Sequence, residues 1–277
     1  MEFAFVTCVK LGLSCMESIY EAGGKLNLVV TLKDEMARNK SGRVYVDDFC
    51  AKNGIDVMKI RNINDAEVVE ALKTYNIDWL FIIGWSQIAH TPILNATKYG
   101  VVGMHPTLLP VGRGRASIPW AILKGLSETG VTLFKLDEGV DTGLIIAQEI
   151  IPMTPNETAT VLYDKVCRAH STLIHRVWSD FKENTVSLMS QDNSKASEWP
   201  GRMPEDSIIL PNMTVEEVEK LVRATTHPYP GAFWKESGKV IRIWKGIIGV
   251  QGTASSKGTR RLFLKNGVYD ALEYDVE

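Results

Sequence analysis

The first 150 residues of this 277-residue chain alternate short, continuous apolar runs with segments of helical period. No other feature limits the available architectures as much. Glu2–Val9, Leu26–Leu32, Asp56–Ile60, Asp78–Trp85 and Gly100–Met104 are apolar, β-rich runs bounded by turn residues, while Ser14–Ala22, Val44–Asn53 and Ala66–Tyr75 carry apolar residues at helical spacing. Runs that are apolar throughout, rather than at alternate positions, suit strands covered on both faces, hence parallel strands with helices between them. The expected fold is α/β, a doubly wound Rossmann-like sheet. Ligands of such sheets sit beyond the carboxyl ends of strands, so the residues after Trp85 and Met104 are where chemistry is expected first.

Thr129–Leu136 and Ile145–Ile151 read as two further strands, and Ala159 to about Glu183 as a long helix. Asn184 to Pro200, rich in Ser, Asn and Asp, reads as a linker. Beyond it a helix, Thr214–Arg223, and strand-like runs around Gly238, Lys245, Gly252-Thr253 and Asn266-Gly267 predict a small, mostly β module. The expected division is a catalytic domain over residues 1–195 and a C-terminal domain over 196–277. The first strand is followed by Val9-Lys10-Leu11-Gly12-Leu13 rather than GxGxxG, a poor phosphate cradle that argues against a dinucleotide cofactor.

A formal net charge of -2 and a pI near 6.2 provide no basic footprint for nucleic acid or an anionic membrane. From Gly201 to Glu277 there are 11 basic and 10 acidic residues, which is not the composition of an RNA clamp. Cys8, Cys15, Cys50 and Cys167 make no CxxC pair and no metal-ligand spacing with the five histidines. A reduced, cytoplasmic chain without metal is expected. The apolar start is short and contains Glu2, a buried strand rather than a signal peptide, and no stretch is long enough to span a bilayer.

Gly103-Met104-His105-Pro106-Thr107-Leu108-Leu109-Pro110 puts a histidine at the end of the fifth apolar run, and Asp137-Glu138-Gly139-Val140-Asp141-Thr142-Gly143 puts carboxylates in a glycine-bounded loop. An imidazole beside a carboxylate suits proton transfer, because the carboxylate orients the ring and favours its charged form. Alone, His105 could be a structural hydrogen-bonding group and Asp141 a turn former. The rigid Leu-Leu-Pro run, and two glycines that let backbone approach a flat ligand, favour catalysis. Arg113 and Arg115 lie on a glycine-hinged loop before a helix near Ile118, suited to phosphate oxygens or to plain solvation. Ser117 is expected to cap that helix. At the end of the central strand, Trp85 reads as core or as a ligand platform, and Ser86 and Gln87 are polar side chains at the crevice.

These residues resemble the folate-dependent formyltransferases, whose signature is Asn-x-His-Pro-Ser-Leu-Leu-Pro, then a glycine- and arginine-containing loop, then Asp-x-Gly-x-Asp-x-Gly. The resemblance runs from about Met1 to Met153, with one departure: the family's catalytic asparagine falls at Gly103. Arg202–Ser207 and Arg223–Ala232 resemble motifs of formyltransferases acting on nucleotide-linked amino sugars.

The resemblance implies a sugar N-formyltransferase that moves a formyl group from N10-formyltetrahydrofolate to a UDP- or dTDP-linked deoxyamino sugar, in bacterial surface-glycan assembly. It implies catalysis by His105 and Asp141, folate contacts from Trp85, Gln87, Asp137, Val140 and Asp141, and substrate contacts from Arg113, Arg115 and Tyr229. No metal, nucleic acid or membrane partner is implied, and a homodimer is left open. The alternatives are a methionyl-tRNA formyltransferase, a glycinamide ribonucleotide formyltransferase, and a non-catalytic folate- or sugar-binding homologue. The donor that Gly103 lacks is expected from protonated His105, a backbone N–H, a water, or the side chain of Ser86 or Gln87.

Overall fold

The computed structural model describes residues 1–37, 42–252 and 258–277. The apolar runs form β1 (Phe3–Val6), β2 (Leu28–Leu32), β3 (Asp56–Ile60), β4 (Trp79–Ile82) and β5 (Gly100–His105). Between them lie α1 (Lys10–Glu21), α2 (Asp34–Ala37), α3 (Asp47–Asn53), α4 (Ala66–Thr74) and α5 (Thr91–Leu94). Then come β6 (Arg113–Gly114), α6 (Ser117–Leu123), β7 (Glu128–Lys135), β8 (Ile145–Pro152), α7 (Ala159–Glu183) and β9 (Glu198–Trp199). The chain ends with α8 (Val215–Thr225), β10 (Ala232–Glu236), β11 (Lys239–Gly249), β12 (Arg260–Leu264) and β13 (Gly267–Val276).

The large sheet has the order β3-β2-β1-β4-β5-β7-β8. Its first five strands are parallel, and β7 joins β5 antiparallel. Every residue of β1, β2 and β4 is buried, which is why these segments read as unbroken apolar runs. Part of the cover comes from α7, whose Val166, Leu173, Ile174, Val177, Trp178 and Phe181 recur at helical spacing and are buried. The Trp178 ring packs 4.6 Å from Phe3, and Phe181 meets Trp79 and Phe81 at 5.1 and 4.9 Å. Burial of each such side chain contributes about 1.5–3 kcal/mol.

The chain separates into two compact units: residues Met1–Gly114, Gly130–Ile151 and Val166–Glu198 in one, Arg115–Thr129, Pro152–Lys165 and Trp199–Glu277 in the other. In the second, the antiparallel sheet β10-β11-β13-β12 packs Ile241, Ile243, Leu262 and Tyr269 against Val218, Leu221 and Val222 of α8. A reciprocal capping box between Thr214 and Glu217 opens that helix. The strand-like run around Lys245 is part of β11, where Lys245 sits at a register shift. The run expected around Gly252-Thr253 falls partly outside the described residues, which exclude Thr253.

Two local expectations are corrected. Ser117 does not cap α6: it is the first helical residue and buried, while Ala116 holds the cap position with φ 58° and no side-chain bond. The stretch from Asn184 to Glu198 is no free linker. Met189 exchanges backbone hydrogen bonds with Ile145 at 2.8 Å, and Asp192 caps a 3-10 turn over Asn193–Lys195. Its polar side chains satisfy protein backbone and side-chain groups instead of water, a difference that composition does not reveal.

Candidate active site

His105 is the last residue of β5, on the same face as Gly103, and it is 7% exposed. The loop after it is pinned through Thr132, its antiparallel partner on β7. The Thr132 hydroxyl donates to Thr107 O at 2.8 Å and accepts from Leu109 N at 3.0 Å and from Gln148 Nε2 at 2.8 Å. With every bonding site of that hydroxyl in use, the chain leaves β5 in one conformation. The imidazole is set between two acceptors. Nε2 donates to Gly112 O at 2.7 Å, and Nδ1 stands 3.5 Å from Asp141 Oδ2.

Asp141 reaches the ring through a loop that leaves β7 beside Val101, where Leu136 N donates to Val101 O. The return requires tight backbone. A Cβ on Gly143 would lie 1.8 Å from Lys135 O, and Asp141 itself has φ 55°, a left-handed conformation that Asp tolerates better than most residues. Asp137 shapes the turn by accepting from Gly139 N at 3.1 Å and Thr142 Oγ1 at 2.7 Å. Asp141 Oδ2 also accepts from Gly114 N at 2.8 Å. Gly112 and Gly114 thus present one carbonyl to the ring and one amide to the carboxylate.

Arg113, between those glycines, turns inward and is buried. Its Nε and Nη2 donate to Gln191 Oε1 at 3.2 and 2.7 Å, and Nη2 also donates to Asn193 Oδ1 at 2.7 Å. Nε and Nη2 of Arg113 are thus engaged by protein, while Arg115 is the exposed arginine of the pair. Gln191 also donates through Nε2 to the carbonyls of Asp141 and Gly143, both at 2.8 Å. Sequence reasoning missed it because Gln191 sits in the Ser/Asn/Asp-rich stretch, where no local signal separates a solvated amide from a bonded one.

The structure brings His105, Asp141 and Arg113 together, with Asp137 and the exposed Val140 on the Asp141 loop. Trp85 follows β4 and packs against Cys8, Val9 and Leu32, and its Nε1 is buried without a hydrogen-bond partner. Gln87 braces the segment after β3: its Oε1 accepts from Ile63 N and its Nε2 donates to Arg61 O, both at 2.9 Å. Tyr229 lies in the second unit, half-buried in the turn before β10. At Gly103 a Cβ would meet Leu136 Cδ2 at 2.9 Å, so that side chain occupies the space beside the glycine.

Behind the site, on α7, His170 is buried and donates through Nδ1 to Val166 O at 2.8 Å. Burial, reinforced by the nearby His105 and opposed by the Val166 carbonyl, pushes its pKa down to about 4. The four cysteines are buried and form no disulfide, and burial raises the Cys15 thiol and moves Cys50 up to about 11, where thiolate chemistry is suppressed. Among the described residues no His, Cys, Asp and Glu cluster is placed to hold a metal, and no helix is long and apolar enough to cross a membrane.

The structure gives the class as an α/β protein whose doubly wound sheet sets an imidazole beside a carboxylate at a strand end. The chain belongs to the formyl transferase family. Residues 10–178 match the formyl transferase model and 202–269 its C-terminal domain. It is similar to a methionyl-tRNA formyltransferase of Lachnospira eligens, 30% identical over 88% of this chain and 78% of the relative. In fold it is similar to an N-formyltransferase from Helicobacter canadensis in complex with folinic acid and dTDP-3-aminofucose, at 20% identity and TM-score 0.74, covering 98% of each chain. It is also similar to the methionyl-tRNA formyltransferase of Clostridium thermocellum, at 20% identity and TM-score 0.65, covering 100% of this chain and 98% of that one.

Proposed function

We propose that this formyltransferase moves the formyl group of N10-formyltetrahydrofolate to the primary amine of a UDP- or dTDP-linked deoxyamino sugar, in bacterial surface-glycan assembly. The observation that carries this acceptor is the state of the cations in the second unit. Arg223 pairs with Glu219, Arg242 with Glu277, Lys245 with Glu273, Arg260 with Glu236 and Arg261 with Asp270. Cations already paired with carboxylates release fewer counterions on a polyanion, which supports a small acceptor over tRNA. Arg115 and Tyr229 are assigned to the sugar nucleotide.

The residues at the site fit a folate. A cavity of about 370 Å³ at the start of the Asp141 loop is lined by Thr91, Leu94, Tyr99, Gly100, Leu136 and Asp137 among others, and it reaches neither His105 nor Asp141. Trp85 Nε1 and Thr107 Oγ1 are buried polar groups without partners at the exits of β4 and β5, which fits a ligand rich in hydrogen-bonding groups. When bound, the folate supplies the activated formyl group. His105 keeps a proton on Nε2 against Gly112 O, takes the amine's proton on Nδ1, where Asp141 stabilises the charge, and returns that proton to the departing folate nitrogen as the bond from it to the formyl carbon breaks. A base so placed contributes about 10² to 10⁴-fold in rate.

The second reading, formylation of methionyl-tRNA, is favoured by relatives of that name at 30 and 31% identity. Tetrahydrofolate release is measured with the formyl donor and either a panel of UDP-, dTDP- and GDP-amino sugars or methionyl-tRNA. Turnover with a sugar nucleotide and none with tRNA is expected. Saturable formylation of the tRNA alone overturns the sugar reading.

A further inference from the structure

We infer that Gln191 is a positioning residue for the His105–Asp141 pair, with one carboxamide holding both loops between which the imidazole sits. On the Asp141 side, its Nε2 bridges the carbonyls of Asp141 and Gly143 at 2.8 Å each, locking the turn that carries the left-handed Asp141. On the other side, its Oε1 accepts from Nε and Nη2 of Arg113. Arg113 lies between Gly112, whose carbonyl receives the imidazole Nε2–H, and Gly114, whose N–H meets Asp141 Oδ2. The segment carrying Gln191 is fixed to the same loop by a 3.0 Å bond from Gly112 N to Ser197 Oγ and by a 2.9 Å bond from Arg113 N to Ser197 O.

The chemistry of the side chain explains the choice of residue. Only a carboxamide offers donors to two carbonyls at one end and an acceptor to a guanidinium at the other. Glutamate of the same shape keeps the bond to Arg113 but faces the two carbonyls with a second acceptor. Alanine keeps neither link. The 3.5 Å separation of Nδ1 from Oδ2 is therefore set from outside the pair, by a residue that touches neither the ring nor the carboxylate.

The test compares the full chain with Gln191→Ala and Gln191→Glu, in steady-state formyl transfer and in ¹⁵N imidazole spectra of histidine-labelled protein, with His105 signals assigned through His105→Asn. Each variant is expected to lower kcat by about 10- to 100-fold, because small displacements of catalytic groups carry costs of that order. The KM for the formyl donor should stay within about threefold, as expected when ground-state binding survives. The His105 ring signals should move in both variants, and Gln191→Glu should be no better than Gln191→Ala.

A folded Gln191→Glu protein with unchanged His105 signals or wild-type kcat overturns the proposal. So does rescue by glutamate, which would mean that the residue acts through Arg113 alone. If the alanine variant does not fold, the isosteric glutamate carries the test. The inference rests on formyl transfer and not on the acceptor. The imidazole spectrum needs no acceptor, so failure of the sugar reading and failure of this proposal are separately visible.

Discussion

The exits of β4 and β5 are neighbours in one sheet and opposite in how they use polar side chains. After β4, the carboxamide of Gln87 is spent bracing backbone beyond β3, and Trp85 packs against Cys8 and Leu32. After β5, the polar groups converge on a ring: Gly112 O and Asp141 at its nitrogens, with Thr132 fixing the chain behind it. Both positions lie where a doubly wound sheet places its ligands. Topology offers both places, and only at the β5 exit is hydrogen-bonding capacity directed at a titratable side chain.

The sharpest way to break that contrast is at the β5 exit. His105→Asn and Asp141→Asn are each expected to lower kcat by about 100-fold or more while the protein stays folded. Because the two act as a unit, the double variant should be little worse than either single one. Near-normal turnover in His105→Asn would remove the mechanistic reading of the site.

The next effect is on stability, at His170. Its folded pKa of about 4 lies below the unfolded value near 6.5, so between those limits the unfolded chain binds a proton that the folded chain refuses. This contribution to stability is fully present above about pH 6.5, declines as pH falls towards 4, and levels off below. It is on the order of a few kcal/mol. Urea midpoints at neutral and acid pH should fall less steeply in His170→Gln than in the wild type, and parallel slopes would discard the assignment.

The smallest effect belongs to the β4 exit. Gln87→Ala should cost about 1 kcal/mol of stability through its two lost hydrogen bonds and leave kcat unchanged. A large fall in kcat would return Gln87 to the reacting centre, as a replacement for the donor absent at Gly103.

Much of the fold was legible because it is periodic. β3 and α7 match their expected bounds, and the edges of α1 and β4 moved by only a few residues. That His105 and Asp141 come together was legible in the expectation of an imidazole beside a carboxylate, and Nδ1 and Oδ2 stand 3.5 Å apart, while their catalytic role rests on the family resemblance. The burial of Arg113 was not legible, because a buried guanidinium and a solvated one follow the same glycine-rich pattern, and only Gln191 and Asn193, 78 and 80 residues away, distinguish them. Gln191 was invisible for the same reason, since its partners lie on two distant loops. Ser117 shows the converse, a good cap residue displaced by one position because Ala116 took the left-handed cap conformation.

The separation between Arg113 and Gln191 also sets an order of events during synthesis. Chains grow at about 5–20 residues per second, so the 78 residues between them take roughly 4–16 seconds to emerge. The nascent chain therefore carries β5, the glycine-hinged loop and His105 well before the carboxamide that fastens them. A ribosome-bound chain stopped before Gln191 has the strands of the sheet but not its latch, and one extended past Ser197 has both. Competence for chemistry would arrive as a late, discrete step in the birth of the protein, after most of its hydrophobic core has been made.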